Sequence, residues 1–205
     1  MSPTRGSDPG TRITGGTFKG MPLAAPRQLR VTEAKVRQAL FNILGPSIKW
    51  ARFLDGFAGS GALGLEALSR GAAFVAFIES DVDAVMSIRD NLAQLGAELP
   101  RSAWRVVHLE VERGLRQLAT SEPLFDVIVF DPPYRSEDGK KALNTVVECA
   151  MLTPAGIVAI EHDQRTALPS SVGPLQQQST RHRYGDTVLS FYQHSAAQNA
   201  STREE

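Results

Sequence analysis

The sequence has few of the residues that mark secreted, metal-binding or membrane proteins. It contains one cysteine, Cys149, so no disulfide can form within the chain, which fits a reducing compartment. Its four histidines show no ligand spacing, which predicts no metal site. No apolar run is long enough to cross a membrane, and residues 1–10 lack the apolar segment of a signal peptide. We therefore expect a cytoplasmic protein that binds neither a metal nor a membrane.

The charge is unevenly distributed along a chain of otherwise ordinary composition. The 205 residues are 42% hydrophobic and 21% charged, which fits one globular domain with a real core. Residues 1–50 hold eight lysines and arginines against two acidic residues, a net charge of +6, and the remainder has a net charge of −6. A basic segment on an acidic body is typical of contact with a polyanion such as nucleic acid. A solvated basic tail is the alternative.

Short apolar runs alternate with helical patterns from residue 51 onward. Strands are predicted at 51–55, 73–79, 104–108, 125–130, 156–161, 175–184 and 187–193, and helices at 61–70, 81–95, 111–119 and 139–151. This alternation predicts an α/β fold with a doubly wound, mostly parallel seven-stranded sheet. Only Gly185-Asp186 joins the last two strands, which are therefore expected to be antiparallel.

Four segments are expected from these patterns. Residues 11–48 form a basic N-terminal extension with a β-hairpin and then a helix from Thr32 to about Leu44, which Gly45-Pro46 ends. Residues 49–194 form the catalytic domain. Residues 1–10 and 195–205 are small and polar, and are predicted to be disordered tails.

A glycine-rich loop joins the first predicted strand to its helix. Gly59, Gly61 and Gly64 have the spacing of a dinucleotide-binding loop, and Glu79 follows at the end of the second strand. Asp55 faces the same loop and would repel a pyrophosphate, but it suits a ligand with an ammonium and a sulfonium, such as S-adenosylmethionine. A tight turn without a ligand is the alternative. The predicted cofactor site comprises Asp55, Phe57, Ala58, Gly59, Ser60, Gly61, Gly64, Glu79, Ser80, Glu110 and Val111.

A second motif, Asp131-Pro132-Pro133-Tyr134, follows the predicted strand at 125–130. The prolines lack N–H groups and stiffen the loop, so their carbonyls can only accept hydrogen bonds. A carboxylate, a rigid carbonyl and a ring together suit a planar group that donates an N–H. The alternative is that the motif merely ends a strand and starts a turn.

With both motifs present, the chain resembles the class I methyltransferases of Rossmann-like fold. It is most similar to the bacterial family of 16S rRNA (guanine-N2)-methyltransferases, in the block 55–71, in Arg12-Ile-Thr-Gly-Gly16 and in Tyr184-Gly-Asp-Thr-Val-Leu189. One departure is Arg30-Val-Thr-Glu-Ala-Lys35, where that family usually has Arg-Pro-Thr-Thr-Asp-Arg. The resemblance implies S-adenosylmethionine as cofactor, and 16S ribosomal RNA or a small-subunit assembly particle as partner.

The resemblance also implies roles for individual residues. Asp131 and the Pro132 carbonyl would hold the guanine amine, Pro133 would keep the loop rigid, and Tyr134 would stack on the base. Contacts to RNA are expected from Arg12, Lys19, Arg30, Lys35, Arg37 and Arg135. We expect a monomer, and we expect that deletion of residues 1–31 weakens RNA binding but leaves cofactor affinity intact.

Three other functions remain open from the sequence. An adenine-N6 or other nucleic-acid amine methyltransferase would use the same Asp-Pro-Pro-Tyr motif. A nicotinamide-dependent oxidoreductase would match the glycine spacing, although Asp55 argues against it. A non-catalytic RNA-binding protein would keep the basic extension but would not need the acids around the glycine loop.

Overall fold

The computed structural model describes residues 11–26, 34–96, 99–134, 136–180 and 182–195. The helices in this part of the chain are α1 (Ala34–Leu44), α2 (Ala62–Ser69), α3 (Val82–Leu95), α4 (Val111–Ser121) and α5 (Asp138–Glu148). The strands are β1 (Arg52–Gly56), β2 (Phe74–Glu79), β3 (Trp104–His108), β4 (Phe125–Phe130), β5 (Leu152–Asp163), β6 (Ser171–Val172), β7 (Leu175–Gln177), β8 (His182–Tyr184) and β9 (Thr187–His194). The predicted tail at 1–10, nearly all of the tail at 195–205 and the predicted helix start at Thr32 lie outside the described residues.

The strands form one sheet in the order β3-β2-β1-β4-β5-β9-β7-β6, with β8 also paired to β9. Strands β1 to β5 pair in parallel, and β9 is antiparallel to β5. The predicted doubly wound, mostly parallel fold is confirmed, but the sheet has nine strands rather than seven. The predicted strand at 175–184 is divided into β7 and β8, which pair with opposite ends of β9, and β6 is added beyond it. Such short, interrupted strands are a common way to blunt the edge of a sheet.

Helices cover both faces of the sheet because consecutive strand residues point to opposite sides. Phe53 belongs to the core beneath the N-terminal arm, α1, α2 and α3. Its neighbour Leu54 belongs to the other core, beneath α4 and α5. Both side chains are fully buried, so the sheet is enclosed on both faces, as a parallel sheet requires.

Residues 11–26 form an antiparallel arm that is part of the core that contains Phe53. The N–H of Ile13 donates to the Met21 carbonyl at 3.0 Å, and Arg12 and Pro22 form a β-bridge. The predicted hairpin is therefore present as a hydrogen-bonded arm with a single bridge rather than as two strands. Ile13 and Leu23 are at most 1% exposed, and burial of each side chain stabilises the fold by about 1.5–3 kcal/mol.

The arm docks against the second half of α2 through a buried acid and a glycine. Thr14 donates to Glu66 from its N–H at 2.7 Å and from its hydroxyl at 2.8 Å. A Cβ on Gly16 would lie 1.8 Å from the Ser69 carbonyl oxygen, so only glycine fits there. The arm backbone therefore lies directly on α2, the helix that follows the glycine loop.

Candidate functional site

The predicted site residues meet at one edge of the sheet because β1, β2, β3 and β4 are parallel. In the register, Asp55 of β1 lies opposite Phe77 and Val129 of its two neighbouring strands, close to their carboxyl ends. The N–H of Asp131 also lies 3.4 Å from the Gly56 carbonyl. The structure thus places the motif after β4 directly beside the loop after β1, at the edge where open α/β sheets bind ligands.

The glycine loop turns sharply through three residues with positive φ. Phe57, Gly59 and Gly61 have φ values of 64°, 54° and 81°. Gly64 is needed for a different reason, since its Cβ would lie 2.2 Å from the ring of Phe77 in β2. The spacing predicted from the sequence therefore reflects a tight turn followed by close packing of α2 on the sheet.

Asp55 is fully buried behind this loop and holds its far end. Its Oδ2 accepts a hydrogen bond from the N–H of Gly64 at 2.8 Å. Burial raises the pKa of Asp55 well above its ordinary value; the Gly64 N–H acts in the opposite direction, and Asp131 and Glu79 raise it further. Its Oδ1 is buried without a hydrogen-bond partner among the described residues. A cationic ligand group near this carboxylate would offset the cost of keeping it charged.

Glu79 at the end of β2 fastens the near side of the loop. Its Oε2 accepts from the N–H of Gly59 at 2.7 Å, and its Oε1 accepts from the N–H groups of Ser80 and Asp81, each at 2.8 Å. A carboxylate accepts about four hydrogen bonds, so three backbone donors leave capacity at Oε2 for a ligand hydroxyl. This acid both shapes the loop and fits the predicted ribose contact.

The other predicted cofactor residues line the same edge with different exposures. Glu110 is exposed at the start of α4, where its side chain makes no capping bond, and Val111 beside it is buried. Ala58 and Ser60 are buried inside the loop, and Phe57 packs edge-on against Phe130 with ring centroids 6.1 Å apart. Together with the unpaired Oδ1 of Asp55, these groups fit S-adenosylmethionine.

The Asp131–Tyr134 segment continues β4 without regular structure. Asp131 and Tyr134 are half-buried, Pro132 is buried and Pro133 is exposed. The Pro133 carbonyl accepts from the N–H of Ser136 at 3.2 Å, which closes a turn. The hydroxyl of Tyr134 lies 2.6 Å from that of Thr187 on β9, so the ring is tied to the antiparallel part of the sheet.

The predicted RNA-contacting residues divide into different environments. Arg12, Lys19 and Lys35 are exposed on the arm and α1. The prediction for Arg37 is wrong, because that side chain is only 1% exposed, lies 3.6 Å from Glu66 and donates to the Arg12 carbonyl at 2.6 Å. Its cation therefore stabilises the arm. Arg30 and Arg135 lie outside the described residues.

Sequence reasoning missed three polar residues that hold the site together: Glu66, Asn91 and Thr187. For Glu66 a signal was present, since it is an acid within Ala62-Leu-Gly-Leu-Glu-Ala-Leu68, and a buried acid needs partners. Asn91 likewise lies between the apolar positions of α3. Nothing in the sequence near Thr187 indicates its contact with Tyr134.

The described residues contain neither a candidate metal centre nor a helix that could cross a membrane. No group of three or more histidine, cysteine, aspartate or glutamate side chains there is arranged to hold a metal ion. Among the same residues, every helix is too short or too polar to cross a membrane.

The sheet order, the glycine turn after β1 and the proline-rich segment after β4 define a class I methyltransferase fold. A solved Escherichia coli structure, described provisionally as a methyltransferase, matches with a TM-score of 0.78 and 34% identity over 90% of this chain and 98% of its own. The chain belongs to the family described as Conserved hypothetical protein 95, which matches residues 11–193.

Two relatives carry names that describe an activity. A Bacillus subtilis protein, named provisionally as an rRNA methyltransferase, is 38% identical over 88% of this chain and 97% of its own length. The Escherichia coli ribosomal RNA small subunit methyltransferase D is 37% identical over 78% of each chain. The resemblance inferred from the two motifs is confirmed by these matches.

Proposed function

We propose that this protein transfers a methyl group from S-adenosylmethionine to the N2 amine of a guanine in small-subunit ribosomal RNA. The observation that carries the proposal is that Asp131 and Pro132 lie beside the loop that follows β1. The Asp131 N–H is 3.4 Å from the carbonyl of Gly56, the last residue of β1. Relatives named as small-subunit rRNA methyltransferases support the substrate class. A cytoplasmic location follows from that substrate, and a monomeric state stays a prediction.

The chain's own groups address the main difficulty of this reaction, which is the weak nucleophilicity of an exocyclic amine. Bound S-adenosylmethionine supplies an electrophilic methyl carbon on its sulfonium and leaves as S-adenosylhomocysteine. The Asp131 carboxylate and the Pro132 carbonyl accept the two N–H groups of the amine, which holds its nitrogen in line with the methyl carbon. Such positioning is worth up to ~7–11 kcal/mol. As the N–C bond forms, the bond between the sulfonium sulfur and the methyl carbon breaks, and the methylated amine then passes one proton to Asp131 or to water.

The target base reaches this edge only when it is unpaired or flipped out of a stack. Tyr134 offers a ring for stacking, and the exposed cations Arg12, Lys19 and Lys35 lie on the arm and α1, where they suit the RNA backbone. The arm therefore serves as the proposed RNA support, and the carboxyl edge of the sheet as the chemical site.

The test is transfer of labelled methyl groups to small-subunit RNA that lacks its own modification, both naked and in assembled particles. The expected product is N2-methylguanine at one nucleotide. Methylation of adenine N6 instead would establish the alternative that uses the same Asp-Pro-Pro-Tyr motif. Binding of NADH but not of S-adenosylhomocysteine would contradict both and favour an oxidoreductase.

A further inference from the structure

Asn91 connects the N-terminal arm to the glycine loop from inside the molecule. It lies on α3 and is 0% exposed. Its Oδ1 accepts from the N–H of Ala24 at 2.8 Å, and its Nδ2 donates to the Ala24 carbonyl at 2.9 Å and to the Ser60 carbonyl at 3.0 Å. The side-chain amide of Asn91 therefore makes two hydrogen bonds to Ala24 of the arm and one to Ser60 of the glycine loop, two residues that are 36 positions apart in the sequence.

The position of Ser60 gives this contact its importance. Ser60 lies between Gly59 and Gly61, which both have positive φ, in the loop that faces the proposed cofactor. The same loop contains Phe57, whose φ of 64° is costly for a residue other than glycine, so bonds from the surrounding structure are needed to maintain the turn. Three such anchors are Gly59 to Glu79, Gly64 to Asp55 and Ser60 to Asn91. Among these three side-chain anchors, Asn91 also holds the arm.

We propose that Asn91 is a positioning residue through which the arm sets the geometry of the glycine loop, so that RNA held by the arm tightens binding of the cofactor. This inference rests on the proposed function, because it takes the arm as the RNA support. Coupling between two ligands is reciprocal, so the cofactor also tightens binding of RNA by the same factor.

The arrangement argues against the expectation that removal of residues 1–31 leaves cofactor affinity intact. Without the arm, both of the bonds between Asn91 and Ala24 disappear, and an amide that is fully buried in the intact protein gains solvent and rotamer freedom. Its remaining bond to Ser60 then loses its fixed direction. Removal of the arm is thus expected to weaken cofactor binding as well as RNA binding.

The experiment measures the affinity of the full chain for S-adenosylhomocysteine by calorimetry, with and without small-subunit particles that lack the modification. For the protein without substitutions, we expect the particles to tighten binding of S-adenosylhomocysteine by at least about fivefold, the lower end of typical coupling. For Asn91→Ala, binding without particles weakens and the effect of the particles falls toward none. Asn91→Leu keeps the branched shape of the side chain without its polar atoms and serves if the alanine variant does not fold.

Ser87→Ala is the matched control on the same helix. Ser87 is 3% exposed and donates to the Asp83 carbonyl at 2.9 Å, and within the described part of the chain its side chain has no hydrogen bond to the arm or the loop. A merely structural role for Asn91 predicts similar effects in both variants, whereas the proposal predicts lost coupling in the Asn91 variants alone.

Two results would overturn the inference: particles that leave the affinity of the unmodified sequence unchanged, and coupling that persists in a folded Asn91 variant. Methyl transfer by the unmodified sequence separates this failure from that of the proposed function. If transfer proceeds without coupling, only the role of Asn91 is wrong. If neither S-adenosylhomocysteine binding nor transfer is detected, both proposals fail.

Discussion

Two carboxylates, Glu66 at the arm–α2 junction and Asp131 at the end of β4, are placed in opposite environments. Glu66 is 0% exposed, and Thr14, Arg37 and Arg70 surround its two oxygens. Asp131 is half-buried at an open edge, and the two prolines after it have no N–H groups to offer. The first acid holds elements of the chain together, while the second lies where an incoming donor can reach it. This contrast predicts which substitutions affect folding and which affect chemistry.

The largest effect is expected from Asp131→Ala. Loss of the acceptor that positions the amine should lower the rate of methyl transfer by about 10²-fold or more, the typical cost of a misplaced reacting group. The midpoint of thermal unfolding and the affinity for S-adenosylhomocysteine should change much less than the rate, because the bond from the Asp131 N–H to the Gly56 carbonyl does not need the carboxylate. Labelled-methyl transfer, calorimetry and thermal unfolding measure the three quantities.

Asp138→Ala is the control for this variant, since Asp138 lies nearby on α5 and pairs with Lys141 in a partly exposed contact at 3.3 Å. Transfer should proceed normally in that variant. Full activity of Asp131→Ala would show that the carboxylate does not position the amine.

Glu66→Ala should have the next largest effect, on the free energy of unfolding. Glu66 lies 3.6 Å from the buried guanidinium of Arg37, and removal of one partner of a buried ion pair typically costs about 3–5 kcal/mol. The arm loses both bonds from Thr14 at the same time. Urea unfolding measures the loss. For comparison, Glu148→Ala breaks an exposed ion pair with Arg116 and should have no measurable effect. Equal stability of the two variants would contradict the structural role of Glu66.

The same contrast shows why some features could be predicted from sequence and others could not. Strand and helix periods are local, so the four helices after β1 begin within one residue of their predicted starts. The glycine spacing of the loop is local as well. The burial of Arg37, in contrast, depends on Glu66, which lies 29 positions further along the chain. The contacts of Asn91 with Ala24 and of Tyr134 with Thr187 are similarly long-range, and no local pattern encodes them.

Asp55→Asn should have a smaller effect that depends on pH. Because burial raises the pKa of Asp55, the folded state binds this proton more tightly than the unfolded chain does. The stabilising contribution is therefore fully present below the ordinary aspartate pKa of about 4, and it is lost as the pH rises toward the raised pKa. In Asp55→Asn, this part of the pH dependence of the free energy of unfolding disappears, as urea unfolding at a series of pH values would show.

Asp55→Asn should also weaken binding of the cofactor. The ammonium group of S-adenosylhomocysteine favours the charged carboxylate, so its affinity for the unmodified sequence rises with pH as Asp55 ionises. In Asp55→Asn, that rise is absent, and binding at neutral pH is weaker by about tenfold, the effect of one pKa unit of lost interaction. Calorimetry over the same pH range tests this. A parallel pH dependence in both proteins would place the ligand charge away from Asp55.

The smallest effect concerns the ring beside the proposed base site. Tyr134 and Thr187 share one hydroxyl contact at 2.6 Å, and Thr187 is 6% exposed. A hydrogen bond of this kind contributes about 0.5–1.5 kcal/mol. Tyr134→Phe or Thr187→Val should therefore raise the KM for RNA a few-fold while kcat changes little, because the ring remains but is held less firmly.

Thr187→Ser keeps the hydroxyl and should behave normally. The double variant should be no worse than either single one, since all three lack the same bond. Additive losses would mean that each side chain acts alone and that β9 does not hold the ring.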